Sequence, residues 1–75
     1  MVYIDMTATG LNLKNLFIAN GLKVKDVQKT FGFASAYPVY KWINGQNLPD
    51  LNNLVALADL LNVKVDEILI TKKPA

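Results

Sequence analysis

Gly21-Leu22-Lys23-Val24-Lys25-Asp26-Val27-Gln28-Lys29-Thr30-Phe31-Gly32-Phe33, continued by Ser35 to Gly45, is the stretch that decides how this chain folds. It reads as two short helices joined by a glycine turn, the second closing at Asn44-Gly45. Val24, Val27 and Phe31 lie on one face of the first of these helices, which stops at Gly32. Ser35 is the expected N-cap of the next. Pro38 then falls inside the first turn, where its missing N–H costs nothing, so the cap oxygen must take the amide of Tyr37. Val39, Trp42 and Ile43 point inward at i, i+3, i+4, which turns Tyr37, Tyr40, Lys41 and Asn44 outward.

Outward from that pair, the same periodicity predicts three more helices. One begins at Thr7 or Thr9, either able to cap, buries Leu13, Leu16 and Phe17, and ends at Asn20-Gly21. After Leu48-Pro49, Asp50 caps a helix with the stripe Leu51, Leu54, Val55, Ala58 and Leu61, closed by Asn62. A last short helix, about Val65 to Ile70, adds Val65, Ile68 and Leu69. Met1 to Met6 alternates loosely and forms a candidate strand that needs an edge to pair with, a second subunit being one candidate. The expectation is an all-α, compact five-helix domain over residues 1–75. Its core covers about 7–70, with a short N-terminal strand at 1–6 and a flexible tail at 71–75.

Composition narrows the chemistry. The chain has 75 residues, no cysteine and no histidine, which removes disulfides, the usual zinc ligand sets and any Ser-His or Cys-His nucleophile pair. Neither cofactor nor metal is expected. No apolar run approaches the ~18 residues of a membrane span, and no secretory signal is visible, so a soluble, cytoplasmic protein is expected. Asp66 and Glu67 are adjacent and project about 100° apart on a helix, which suits a helix N-terminus and not an acid–base pair. Ser35 with Lys41 resembles a Ser-Lys dyad only on paper, since capping already explains Ser35. The four glycines are scattered at helix ends and make no phosphate loop. Catalysis is not expected.

The net charge of +2, from eight lysines without arginine, is a weak electrostatic footprint. Placement says more than number. A helix held out at a fixed angle by its partner fits the DNA major groove. On such a helix Tyr37 and Tyr40 hydroxyls bond base edges or phosphates, Lys41 reaches guanine or phosphate, and Ala36 touches a thymine methyl. The helix starts around Lys23, Val24, Lys25 and Ser35 offer amides and partial positive charge to phosphate oxygens. Each residue also has a plainer role: tyrosines covering a core edge, lysines as a solvated pair, Asn44-Gly45 as a helix stop, Trp42 as core.

From about Leu13 to Leu69 the chain resembles the Cro/repressor (Xre-type) helix-turn-helix family, whose fold is lambda-repressor-like. The matching pieces are Gly21-Leu22, Gly32-Phe33, Val39, Trp42-x-Asn44-Gly45 and Pro49. Leu54-x-x-Leu57-Ala58 and Val63-x-Val65-Asp66-Glu67-Ile68-Leu69 complete the match. The resemblance implies sequence-specific binding of double-stranded DNA, usually as a homodimer, in transcriptional control. Carried onto this sequence, the base-reading set is Ala36, Tyr37, Tyr40 and Lys41. The phosphate-contacting set is Lys23, Val24, Lys25, Ser35, Asn44, Gln46 and Asn47. Four departures stand out. Val24 replaces a common Gln, Gln28 replaces a small residue and is expected to loosen the second helix on the third, and Phe33-Ala34-Ser35 lengthens the turn by one residue. Ile43 stands where an acid is frequent, which makes it a candidate exposed apolar contact. A second expectation, from another class, is a protein-interaction module (antitoxin-like or adaptor) that keeps the fold without reading DNA.

Overall fold

Asp5, not Thr7 or Thr9, starts the first helix: its carboxylate accepts the Ala8 N–H at 3.0 Å. The computed structural model describes residues 1–74, in the order β1 (Tyr3–Ile4), α1 (Met6–Ala19), α2 (Val24–Phe31), α3 (Tyr37–Ile43), α4 (Leu51–Leu61), α5 (Val65–Ile68) and β2 (Thr71–Lys72). Five helices make up the body, as expected. Thr9 is released from capping to serve elsewhere. It is buried in α1, its hydroxyl accepts the Ile70 N–H at 2.9 Å and donates to the Ile70 carbonyl at 3.3 Å. The Asn12 carboxamide donates to the carbonyls of Glu67 and Ile68, both at 2.9 Å. Carbonyls that α5 leaves open at its end are thereby satisfied by α1.

These bonds hold the chain after Ile68 extended, and this corrects three expectations. The last helix ends at Ile68, with Leu69 already extended. Thr71 and Lys72, read as the start of a flexible tail, form β2 (Ala75 lies outside the described residues). The N-terminal strand finds its partner within its own chain: Tyr3 pairs with Lys72 and Ile4 with Thr71, antiparallel. Asp5 N–H donates to the Ile70 carbonyl at 2.8 Å next to that pair. The Lys72 ammonium lies 3.7 Å from the Asp5 carboxylate and 5.3 Å from the centre of the Tyr3 ring. Two residues per strand are too few to stand alone; the bonds of Asp5 and Thr9 to Ile70 tie the pair to the start of α1.

The core is one cluster drawn from every helix: Leu13, Phe17, Val27, Val39, Trp42, Leu54, Leu57, Ala58, Leu61 and Ile68. In α4 the stripe is rotated from its expected phase. Leu57 is buried, while Leu51 and Val55 are 81% and 61% exposed. The many apolar residues among Leu51–Leu61 satisfy helical spacing in more than one phase, so periodicity alone cannot choose between them. Ile43 also departs from one expectation, being half-buried against the core instead of a free apolar contact.

Thr9→Val keeps the volume but strands the Ile70 amide. It is expected to lower unfolding stability by about 1–3 kcal/mol, read as a fall in urea midpoint at constant slope. An unchanged midpoint would show that Thr9 does not anchor the C-terminal segment.

Candidate nucleic-acid interface

α2 stops at Gly32, whose φ of 70° places it in the left-handed region that glycine enters without strain. Phe33 N–H reaches back to the Gln28 carbonyl at 3.1 Å, and the Gln28 carboxamide donates to the Phe33 carbonyl at 3.3 Å. Gln28 therefore stitches the turn; it was expected to loosen the packing. Five residues, Gly32 to Ala36, separate α2 from α3. Their geometry is fixed by rings. Trp42 meets Phe31 and Phe33 edge-on, each with centroids 5.7 Å apart, and the two phenylalanines lie 5.4 Å from each other. Such tilted and T-shaped pairs match the ring quadrupoles.

α3 begins as the proline requires. The Ser35 hydroxyl accepts the Tyr37 N–H at 3.3 Å and keeps its own proton free to donate. The N-cap position itself falls on Ala36, half-buried and helical in its dihedrals, and not on Ser35 as expected; the serine bond belongs to the turn that leads into the helix. Val39 and Trp42 are buried, and the opposite stripe faces out: Tyr37 is 64% exposed and Tyr40 49%. Lys41 is half-buried, its ammonium 5.0 Å from the centre of the Tyr37 ring, a cation–π distance. The chain after α3 folds back over the same residue. Gln46 and Asn47 N–H groups donate to the Lys41 carbonyl at 2.9 and 3.2 Å. With its carboxamide oriented to match its neighbours, Asn47 accepts from Lys41 Nζ at 3.2 Å and donates to the Gln46 carbonyl at 2.8 Å. Tyr37, Lys41 and Asn47 are thus one assembly, which helical spacing alone does not reveal because Asn47 lies beyond the helix. Asn44 and Gln46 are exposed beside it.

The start of α2 is less open than the sequence suggests. Lys23 and Lys25 are exposed, but the Val24 side chain packs on the core, leaving its amide as its polar group there. Asp26 supplies an anion of the protein's own: its carboxylate accepts the Lys23 N–H at 2.8 Å. The first helical amides, of Val24 and Lys25, have no carbonyl a turn earlier to bond. A cavity of about 250 Å³ lined by Thr30, Phe31, Ala56, Asp59 and Leu60 contains none of these groups. Among the described residues, no cluster of His, Cys, Asp or Glu is placed to hold a metal, and no helix is long and apolar enough to cross a membrane.

Comparison with known proteins agrees with this geometry. The family model described as Cro/C1-type HTH DNA-binding domain matches residues 12–74. Among solved structures, the restriction-modification controller protein C.AhdI from Aeromonas hydrophila superposes with a TM-score of 0.74 at 27% identity, over 88% of this chain and 98% of that one. The DNA-binding domain of BldD does so with a TM-score of 0.70 at 25% identity, over 85% and 92%. The S. venezulae BldD DNA-binding domain, at 24% identity and a TM-score of 0.72 over 87% and 96%, shares the fold. No curated protein sequence matches the chain significantly.

Phe33→Leu removes both ring contacts of the turn. It is expected to lower stability by about 1–3 kcal/mol and to alter the Trp42 near-ultraviolet dichroism. Unchanged dichroism would mean that Trp42 is held by other contacts.

Proposed function

The chain belongs to the Cro/C1-type HTH DNA-binding domain family, and from that premise we propose that it is a sequence-specific transcriptional regulator that lays α3 in the major groove of double-stranded DNA as a homodimer, in the cytoplasm. The observation that carries this is the division of α3 into a buried face of Val39 and Trp42 and an outward polar stripe in which Tyr37 and Tyr40 are exposed and Lys41 is half-buried. An α-helix with its side chains is about 10–12 Å across, which matches a groove about 12 Å wide. C.AhdI, described as a controller protein, and the BldD DNA-binding domain support a regulatory role.

Ala36, Tyr37, Tyr40 and Lys41 read bases in this proposal. Lys41 carries donors only, so its match in the groove is an acceptor pair such as guanine O6 and N7. Lys23, Lys25, the amides of Val24 and Lys25, the Ser35 hydroxyl, Asn44, Gln46 and Asn47 hold phosphates. One chain carries one α3 and few cations, so useful affinity calls for two copies on half-sites about 34 Å apart.

A second reading, a protein-interaction module that keeps the fold without reading bases, draws support from Leu51 and Val55, exposed one turn apart on α4, and from the small net charge. Retention on random duplex DNA at low salt separates the two: the regulator is retained, the module is not.

Selection of bound sites from random DNA, at stated salt, is expected to return two symmetric half-sites about one helical turn apart. With roughly six to eight phosphates neutralised by a dimer, log affinity falls against log salt with a slope of about −5 to −7. Lys41→Ala is expected to relax base preference at one position of each half-site. Lys23→Ala weakens all sequences alike and flattens the slope by about 1 for each phosphate left without its lysine. Equal weakening on every sequence from both substitutions would contradict the division of roles.

A further inference from the structure

Glycine inside a helix is the least favourable residue after proline, yet Gly10 lies within α1, buried on the face it shares with Leu13 and Phe17. What surrounds it explains the choice. A Cβ there would stand 2.7 Å from the carbonyl oxygens of Trp42 and Ile43 and 2.8 Å from the Gly45 nitrogen. These are backbone atoms, unable to swing aside as a side-chain end would. They include both ends of the bond that closes α3, Gly45 N–H to the Trp42 carbonyl at 3.1 Å. Gly45 faces back the same way: a Cβ on it would stand 2.9 Å from the Met6 carbonyl oxygen and 3.0 Å from the Thr7 Cα. The first turns of α1 and the end of α3 therefore meet backbone against backbone.

We infer that Gly10 is a positioning residue for the recognition helix: its bare Cα sets how deeply α3 seats on α1, and so the angle at which Tyr37, Tyr40 and Lys41 are presented. α1 is the fixed partner of the two. Asp5, Thr9 and Asn12 tie it on its other side to Glu67, Ile68 and Ile70. α3 has only seven residues, preceded by a five-residue turn. A methyl group at position 10 displaces α3, because α1 is tied by hydrogen bonds to the C-terminal segment while seven-residue α3 is held mainly by side-chain packing, which can shift as a unit. The consequence for DNA rests on the regulator proposed above; the displacement itself does not.

The test compares Gly10→Ala with Ile68→Val, which trims a fully buried residue of α5, at a temperature where far-ultraviolet dichroism shows both fully folded. Trp42 is the sole tryptophan, so its near-ultraviolet dichroism reports the seat of α3 without DNA. Gly10→Ala is expected to change that signal and to lower affinity for the selected site about tenfold or more, the order of one mispaired base contact. Affinity for random duplex, set by phosphate charge, stays within about twofold. Ile68→Val is expected to change none of the three. An unaltered Trp42 signal in Gly10→Ala overturns the inference, as does a changed signal with selected-site affinity intact. Failure of Gly10→Ala to fold also overturns it, since the contact would then support the whole core. If the wild-type protein binds no DNA, the regulator reading falls alone and the Trp42 signal still decides the role of Gly10.

Discussion

Seven residues make too few hydrogen bonds for a helix to persist in water, where isolated helices under about 12–15 residues are marginal. Tertiary contact must hold α3, and Trp42 is the larger of the two side chains it buries. Burying an indole removes roughly 150–250 Å² from water, an upper estimate of about 4–6 kcal/mol. That is comparable to the whole net stability of a small domain. The Phe31 and Phe33 rings against it turn this non-directional gain into an orientation. Beneath the helix end, the close approach of α1 removes the remaining freedom to slide. An outward stripe of two tyrosines and a lysine is useful for recognition only because the inward side is so constrained.

Electrostatics obeys a similar constraint. A chain of net charge +2 cannot rely on a broad positive field, so the position of each lysine matters more than the total. Lys41 is held between the Tyr37 ring and the Asn47 carboxamide, which removes some of the rotamer freedom a free lysine would lose on binding. At α2 the opposite holds. Asp26 already occupies the positive helix end through the Lys23 amide, so an incoming phosphate meets a carboxylate as well as two lysines. In the proposed role, recognition is thereby weighted toward α3 and the residues that follow it.

Helical periodicity and turn residues made the α2–α3 pair legible down to the Ser35 bond with the Tyr37 amide, because proline leaves the serine oxygen no other near donor, although the cap position moved to Ala36. Two other places were not legible, each for a physical reason. Leu51–Leu61 is apolar around much of its circumference, so the phase that buries Leu57 and exposes Leu51 and Val55 depends on neighbours distant in sequence. The N-terminal strand and the residues after Ile68 are too short to announce a pairing. Their register comes from Thr9 and Asn12, whose polar side chains read as ordinary helix residues until their partners 55 to 61 positions away are known. Of the candidate site, the element and the exposure of Tyr37, Tyr40 and Asn44 were readable from spacing, whereas Ala36 and Lys41 are half-buried and Val24 packs on the core. The assembly of Lys41 with Asn47, and the carboxylate at the start of α2, were not.

The central claim is that α3 is the surface that meets DNA. Amide chemical-shift mapping of isotope-labelled protein during titration with a selected duplex tests it most directly. The account predicts that the largest changes fall on Tyr37, Tyr40, Lys41, Gln46 and Asn47, with smaller ones at Lys23, Val24 and Lys25. Changes centred on Leu51 and Val55 of α4, with α3 unmoved, would contradict it.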